Sequence, residues 1–282
     1  VIAERASEQA VAIDKFGAGL GVTVQADEIA GVPVHRVKPV ADGDQVAGAL
    51  FVYLHGGAYV FGGGDAGARE AALITAMSGI ESVSIDYRMP PDHPHPAAVD
   101  DVEAVYRELL EHLPAGTVAM GGTSAGGGLT MAALHRFKAV GLPMPSALYL
   151  GTPWADLTKT SDTLYTMEGV DRVLGTYDGI LEAAALLYAG DTPLTDPLVS
   201  PVYGDFEGFP PAYLVTGTRD MLLSDTARVA QKIRVAGSDV ELIVFEGLSH
   251  AEYAFVGDSP EMRQAYEGLS EFLLQHVARS AP

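Results

Sequence analysis

Cysteine and asparagine are both absent from the 282-residue chain. Without cysteine, the chain cannot form disulfides, use a thiolate in catalysis or bind a metal through sulfur. Without asparagine, it has no acceptor for N-linked glycosylation. Basic residues are scarce as well, since 17 Lys and Arg stand against 37 Asp and Glu, a formal net charge of −20. This balance argues against partners that present phosphates, namely nucleic acids and anionic membrane surfaces.

Long apolar runs are also missing, because none approaches the roughly 18 residues that a membrane span needs. The N-terminal stretch, VIAERASEQAVAIDKFG, is charged and amphipathic and does not resemble a signal peptide. The first residue is not methionine, so a leader could precede this numbering. These features favour a cytoplasmic protein. Hydrophobic residues make up 48% of the chain, enough for a sizeable core.

Apolar strand-like runs alternate with amphipathic helix-like segments along most of the chain. The predicted strands cover residues 32–40, 49–54, 81–87, 117–121, 146–151, 211–217 and 240–247. The predicted helices cover residues 1–16, 70–79, 97–113, 129–140, 177–190, 224–237 and 260–279. This alternation predicts an α/β fold with a mostly parallel sheet and helices on both faces. Residues 154 to about 208 interrupt the alternation, and so long an excursion between strands predicts a lid.

The stretch GGTSAGGG, residues 121–128, places one serine among glycines where a strand gives way to a helix. Within it, Gly122 to Gly126 fit G-x-S-x-G, the pattern of a nucleophile elbow. The turn is so sharp that a Cβ two residues before or after Ser124 would clash. The turn also strains the serine backbone and exposes its hydroxyl.

Two other interpretations of this stretch are disfavoured by its surroundings. A flexible linker is disfavoured by the apolar strand before it and by the helix-spaced apolar residues of 129–140. A phosphate-binding loop would fit the spacing of Gly121 and Gly126, but Gly127 stands where that motif requires lysine.

Polar side chains that could assist Ser124 follow two later strands. In such sheets the functional residues lie at the carboxyl ends of the strands. Asp220 comes just after strand 211–217, and His250 comes just after strand 240–247. Taken singly, Asp220 could be a turn residue and His250 a structural histidine. Asp156, after the strand ending at residue 151, remains a minor alternative for the acid.

The chain order Ser124, Asp220, His250 is the order found in α/β-hydrolases. In that arrangement neutral histidine removes the serine proton, and aspartate orients the imidazole and stabilises its charged form. These three residues are therefore the predicted catalytic triad.

Donors for a developing oxyanion are predicted from the loop LHGGAYVFGGG after strand 49–54. The candidates are the backbone N–H groups of Gly56 and Gly57, together with that of Ala125 at a helix N-terminus. A flexible glycine turn is the alternative. His55 is interpreted as a brace for this loop and not as a base.

Taken together, these motifs resemble the hormone-sensitive-lipase-like group of α/β-hydrolases, in its bacterial branch with a GTSAG elbow. The resemblance covers nearly the whole chain. His55-Gly56-Gly57 is similar to the HGGG motif of that family, with Ala58 in place of the last glycine. Three further stretches are similar to segments of that family: DYRMPPDHPHPAAVDD, GTRDMLLSDT and EGLSHAEY. The second stretch contains Asp220 and the third contains His250.

This resemblance implies one α/β-hydrolase domain over residues 1–282, with a mostly parallel eight-stranded sheet. It also implies a helical cap formed by about 1–30 and 154–208. The implied activity is a serine carboxylesterase that acts on small, short-chain acyl esters without a metal or organic cofactor. Many relatives form homodimers, so a homodimer is compatible with the resemblance.

Two other functions remain open: a lactone hydrolase or metabolite deacetylase with the same triad, and a non-catalytic ligand-binding protein on the same scaffold. The second usually lacks a triad residue, whereas this chain retains all three. Trp154 and Tyr188 are predicted substrate contacts, with cap packing as the alternative role. A metal site at His93 and His95 is disfavoured because no third ligand is apparent.

Overall fold

The structure is a computed structural model that describes residues 13–40 and 46–277. Most of the helix predicted over residues 1–16 therefore lies outside the described residues. Its last part coincides with the start of helix α1, Ile13–Leu20.

An eight-stranded sheet runs through the molecule in the order β1-β2-β4-β3-β5-β6-β7-β8. The strands are β1 Val22–Ile29, β2 Val32–Pro39, β3 Leu50–Leu54, β4 Glu81–Ile85, β5 Val118–Thr123, β6 Leu148–Gly151, β7 Ala212–Gly217 and β8 Val240–Phe245. Strand β2 pairs antiparallel with β1 and β4, and every other pairing is parallel. The predicted mostly parallel sheet is thus confirmed.

Strand β1 corrects the expectation that residues 1–30 belong to a cap. Residues 22–29 instead pair with β2 along their whole length, from Val22 opposite Pro39 to Ile29 opposite Val32. Ala30 and Gly31 both have positive φ, 53° and 80°, the geometry of a two-residue hairpin turn. The sequence pattern does not predict this strand, because only three of its eight residues are buried and the apolar alternation is therefore weak.

Helices cover both faces of the sheet. The described helices are α1 Ile13–Leu20, α2 Arg69–Ser78, α3 Ala97–Leu110, α4 Ala125–Val140, α5 Thr163–Thr166, α6 Ile180–Ala189, α7 Leu223–Val235, α8 Glu252–Phe255 and α9 Pro260–His276. Strand β3 is buried along its length, and its alternate side chains face two separate cores. Val52 and Leu54 pack on the side of α3 and α4. Phe51 and Tyr53 pack on the side of α2 and α9.

The excursion between β6 and β7 contains α5, α6 and a short 3₁₀ turn, Pro201–Tyr203. These elements do not test whether residues 154–208 act as a lid, so that role stays a prediction. Within residues 13–40 and 46–277, no helix combines the length and the apolar character needed to cross a bilayer.

Candidate active site

The turn between β5 and α4 holds Ser124 in a strained conformation. Its φ is 61° and its ψ is −122°, a combination that L residues rarely adopt. A Cβ on either Gly122 or Gly126 would overlap the carbonyl oxygen of Leu54, and one on Gly122 would also lie 2.8 Å from the Gly126 carbonyl carbon. The predicted close approach of the two flanking glycines is thereby confirmed.

The structure brings the three predicted triad residues together. The His250 Nε2 atom lies 2.9 Å from the Ser124 Oγ atom, and the His250 Nδ1 atom lies 3.1 Å from the Asp220 Oδ1 atom. The histidine is only 3% exposed and the aspartate is fully buried. These distances form a continuous hydrogen-bonded chain from carboxylate to imidazole to hydroxyl.

Two threonines that the sequence analysis missed complete the environment of Asp220. Thr216 donates a 3.0 Å hydrogen bond to Asp220 Oδ2, and Thr152 donates to the same oxygen. The Leu222 N–H donates to Asp220 Oδ1 at 2.8 Å. The Thr152 hydroxyl also lies 2.9 Å from His250 Nδ1, so it contacts both partners. Both threonines lie near the carboxyl ends of strands, which is the one signal that could have identified them.

Asp156, the alternative acid, lies in a different set of contacts. Its carboxylate accepts hydrogen bonds from Arg228 Nη1 at 2.7 Å, and from the Thr158 and Thr160 hydroxyls at 2.6 and 2.7 Å. Burial raises the pKa of Asp156, but these hydrogen bonds outweigh it and the pKa is lowered overall. The hydrogen bond to the imidazole thus involves Asp220, whereas Asp156 binds Arg228.

The glycine loop after β3 lies directly against the serine. A Cβ on Gly56 would be 3.4 Å from the Ser124 Cβ and 2.9 Å from the Thr123 carbonyl oxygen. Gly57 has a φ of 110°, which favours glycine. In the described part of the chain, the N–H groups of Gly56, Gly57 and Ala125 donate no hydrogen bond. All three are therefore available to an acceptor beside the hydroxyl.

His55 makes the contacts expected of a brace. Its ring stacks on Tyr87 with centroids 4.1 Å apart, and its Nδ1 atom lies 2.8 Å from the Gly56 carbonyl oxygen. The Tyr87 hydroxyl donates to the His55 carbonyl oxygen at 2.7 Å. Burial lowers the pKa of His55, which keeps the ring neutral near pH 7.

Trp154 and Tyr188, the predicted substrate contacts, are each only 1% exposed. The backbone N–H of Trp154 donates a 2.9 Å hydrogen bond to the Ser124 carbonyl oxygen, so the Trp154 main chain lies next to the serine. Tyr188, on α6, stacks on Tyr59 with centroids 3.9 Å apart, and Trp154 tilts against the same ring at 6.0 Å. The structure therefore shows an aromatic cluster, and contact with a substrate remains a prediction.

Among the described residues, no group of three or more His, Asp or Glu side chains is placed so that it could hold a metal ion. Ser124 presents a hydroxyl that is hydrogen-bonded to an imidazole.

Comparison with known proteins gives one family. Residues 51–254 match the model of a family described as alpha/beta hydrolase fold. The chain is 34% identical over 227 residues to an acetyl-hydrolase of Streptomyces hygroscopicus, covering 80% of this chain and 75% of that protein.

Solved structures agree with this assignment. Esterase E25 superposes with a TM-score of 0.94 at 46% identity, covering 98% of this chain and 85% of that one. An esterase from the bacterial hormone-sensitive lipase family superposes with a TM-score of 0.86 at 30% identity, covering 98% of this chain and 96% of that one.

The tight turn at Ser124 makes a prediction about Gly126→Ala. In an ordinary helix this change stabilises a protein, by about 0.5–1 kcal/mol. Here the added methyl overlaps the Leu54 carbonyl oxygen, and such overpacking typically costs about 1–3 kcal/mol. We expect urea unfolding at a lower concentration than for the wild type. The matched control is Gly19→Ala in α1, where nothing lies within 4 Å of the added methyl, and we expect no loss there. An unchanged midpoint for Gly126→Ala would contradict the close approach.

Proposed function

The chain belongs to the α/β-hydrolase fold family, in its hormone-sensitive-lipase-like branch, and is a carboxylic ester hydrolase; on that premise, we propose that it hydrolyses short-chain acyl esters through an acyl-enzyme intermediate on Ser124. The observation that carries the proposal is the hydrogen-bonded chain from Asp220 through His250 to the serine hydroxyl.

In the proposed first step, Ser124 Oγ attacks the ester carbonyl carbon while its proton moves to His250 Nε2. Asp220 accepts the hydrogen bond from Nδ1, which fixes the tautomer and stabilises the imidazolium. The imidazolium then protonates the departing alcohol as the carbon–oxygen bond breaks. In the second step, a water oxygen attacks the acyl carbon while His250 takes a proton from that water. The imidazolium then returns the proton to Ser124 Oγ as the bond between Oγ and the acyl carbon breaks, and the carboxylic acid is released.

The negative charge that develops on the carbonyl oxygen would be stabilised by the N–H groups of Gly56, Gly57 and Ala125. Support for this role comes from the position of the Gly56–Gly57 loop against Ser124 and from the lack of other acceptors for these donors among the described residues. Ala125 begins α4, so the positive end of the helix dipole also faces the site. Loss of one such donor typically costs about 10²–10³-fold in kcat.

The preference for short acyl chains is supported by the packing around the serine. Three aromatic side chains form a buried cluster: Tyr59, Trp154 and Tyr188. The backbone N–H of Trp154 is hydrogen-bonded to the Ser124 carbonyl oxygen, so the main chain of this cluster member lies next to the serine. We assign residues 154–208 to a cap that closes over this side of the site. The net charge of −20 disfavours polyanionic substrates.

Removal of an acetyl group from a metabolite is the second candidate, with the same triad. It is favoured by the name acetyl-hydrolase of the Streptomyces hygroscopicus relative. An acetyl ester of a larger alcohol would place its small acyl group at the serine and its alcohol toward the cap.

The two carboxylates that competed for the role of acid give a direct prediction. We expect Asp220→Asn to lower kcat for p-nitrophenyl acetate by about 10³–10⁴-fold, because the imidazole loses its orienting acceptor. Asp156→Asn removes a buried carboxylate in the same way, but one that holds Arg228 and not His250. We expect a much smaller loss for this variant once both rates are normalised to folded protein by circular dichroism. Equal losses in the two variants would contradict the assigned triad.

The proposed acyl preference is tested with p-nitrophenyl esters of increasing chain length. We expect kcat/KM to be highest for acetate or butyrate and to fall steeply for decanoate, because in this proposal the cluster of Tyr59, Trp154 and Tyr188 limits the acyl pocket. Ser124→Ala provides the background rate for each ester. A higher kcat/KM for decanoate than for butyrate would overturn the short-chain assignment.

A further inference from the structure

Glu70, on α2, carries a carboxylate that the proposed mechanism does not use and that is surrounded by hydroxyl groups. Tyr53 donates to its Oε2 atom at 2.6 Å. Its Oε1 atom accepts from Thr123 at 2.7 Å, from Tyr149 at 2.8 Å and from Tyr266 at 2.9 Å. Four donors match the acceptor capacity of one ionised carboxylate. Hydrogen bonds from several hydroxyl groups stabilise the negative charge of a carboxylate.

The tyrosines around Glu70 remain hydrogen-bond donors at neutral pH. Burial, and next the negative charge of Glu70, raise the pKa values of Tyr53, Tyr149 and Tyr266 well above their ordinary value. All three side chains are at most 2% exposed. Their protons therefore stay directed at the carboxylate.

This network reaches both sides of the predicted nucleophile–base pair. Thr123 is the residue immediately before Ser124. The Tyr149 hydroxyl, whose proton points to Glu70, lies 3.0 Å from the Tyr253 hydroxyl, which must then donate to it. Tyr253 lies on α8, the short helix that follows His250. The Glu70 Oε1 atom is thus hydrogen-bonded directly to Thr123 in the serine turn. Through Tyr149 it is also linked to Tyr253, in the helix that follows His250.

Gly151 lies where the hydroxyl groups of Thr123, Tyr149 and Tyr253 meet, and only a residue without a side chain fits there. A Cβ there would overlap the Tyr253 hydroxyl and lie 2.5 Å from the Thr123 Oγ1 atom and 2.6 Å from the Tyr149 hydroxyl. The Gly151 carbonyl oxygen in turn accepts the Ser124 N–H at 2.8 Å. The position that makes room for the hydroxyls therefore also fixes the main chain of the serine.

We propose that Glu70 is a positioning residue, which sets the distance between Ser124 and His250 by holding Thr123 and, through Tyr149, Tyr253. Glu70 does not touch the reacting atoms. Its effect on the rate rests on the proposed esterase function, whereas its effect on the geometry does not.

The first test is Glu70→Gln. The amide presents an NH₂ group to hydroxyls that are themselves donors, so part of the network must separate. We expect kcat for p-nitrophenyl acetate to fall about tenfold, since small displacements of catalytic groups are costly, while KM changes by less than about twofold. The rate is expressed per reactive serine, counted by titration with a phosphonate inhibitor, so that unfolded protein does not contribute.

Two tyrosine variants sharpen the test, and Tyr149→Phe carries it if Glu70→Gln does not fold. Tyr149→Phe removes the one hydroxyl that joins Glu70 to Tyr253, and we expect the same selective fall in kcat. Tyr106→Phe is the matched control, because its buried hydroxyl donates to the Pro143 carbonyl oxygen at 3.0 Å within the other core. We expect kcat and KM of this control to match the wild type. The Glu70→Gln/Tyr149→Phe double variant should lose no more than Glu70→Gln alone.

Crystal structures of the wild type and of the Glu70→Gln and Tyr149→Phe variants give a readout that needs no turnover. The separation of His250 Nε2 and Ser124 Oγ, 2.9 Å here, should exceed hydrogen-bond distance in both variants. Variants that keep this distance and the wild-type kcat per reactive serine would overturn the role of Glu70 and leave the esterase function intact. A wild-type protein with no turnover above Ser124→Ala would overturn the proposed function, and the measured separation would still decide the role of Glu70.

Discussion

The carbonyl oxygen of Leu54, at the end of β3, occupies the space that a side chain at Gly122 or Gly126 would need. Because both positions are glycine, the serine turn can lie directly on the end of β3. The loop that continues from β3 then passes beside Ser124, where a Cβ on Gly56 would lie 3.4 Å from the Ser124 Cβ. One close main-chain approach thus places Ser124 and the glycine loop at the same edge of the sheet.

Asp220 and His250 follow the neighbouring strands β7 and β8, and the excursion between β6 and β7 contacts the loops of both residues. Asp171, within the excursion, accepts a 2.9 Å hydrogen bond from the Met221 N–H, next to Asp220. The following residue, Arg172, donates its N–H to Ser249 Oγ at 3.1 Å, next to His250. Consecutive residues of the excursion are therefore hydrogen-bonded to the residues next to Asp220 and His250. At this end the excursion is attached to the loops that carry both side chains.

Much of this arrangement is predictable from the sequence because its signals are local. The G-x-S-x-G pattern defines the turn, and Asp220 and His250 each follow a continuous apolar run that only a covered strand explains. Strand β1 could not be predicted in the same way, because its outer face is exposed and its polar residues dilute the apolar alternation. Thr152 and Glu70 were not found either. Asp220 lies 68 positions from Thr152, and Thr123 and Tyr149 lie 53 and 79 positions from Glu70. No local pattern encodes contacts over such separations.

The central claim is that His250 makes Ser124 nucleophilic, and covalent labelling tests it most directly. The protein is treated with a p-nitrophenyl phosphonate, digested, and analysed by mass spectrometry over a time course. The account predicts a single adduct on the peptide containing Ser124, formed far more slowly in His250→Ala than in the wild type. An adduct on another residue, or labelling of Ser124 at the same rate without the imidazole, would contradict it.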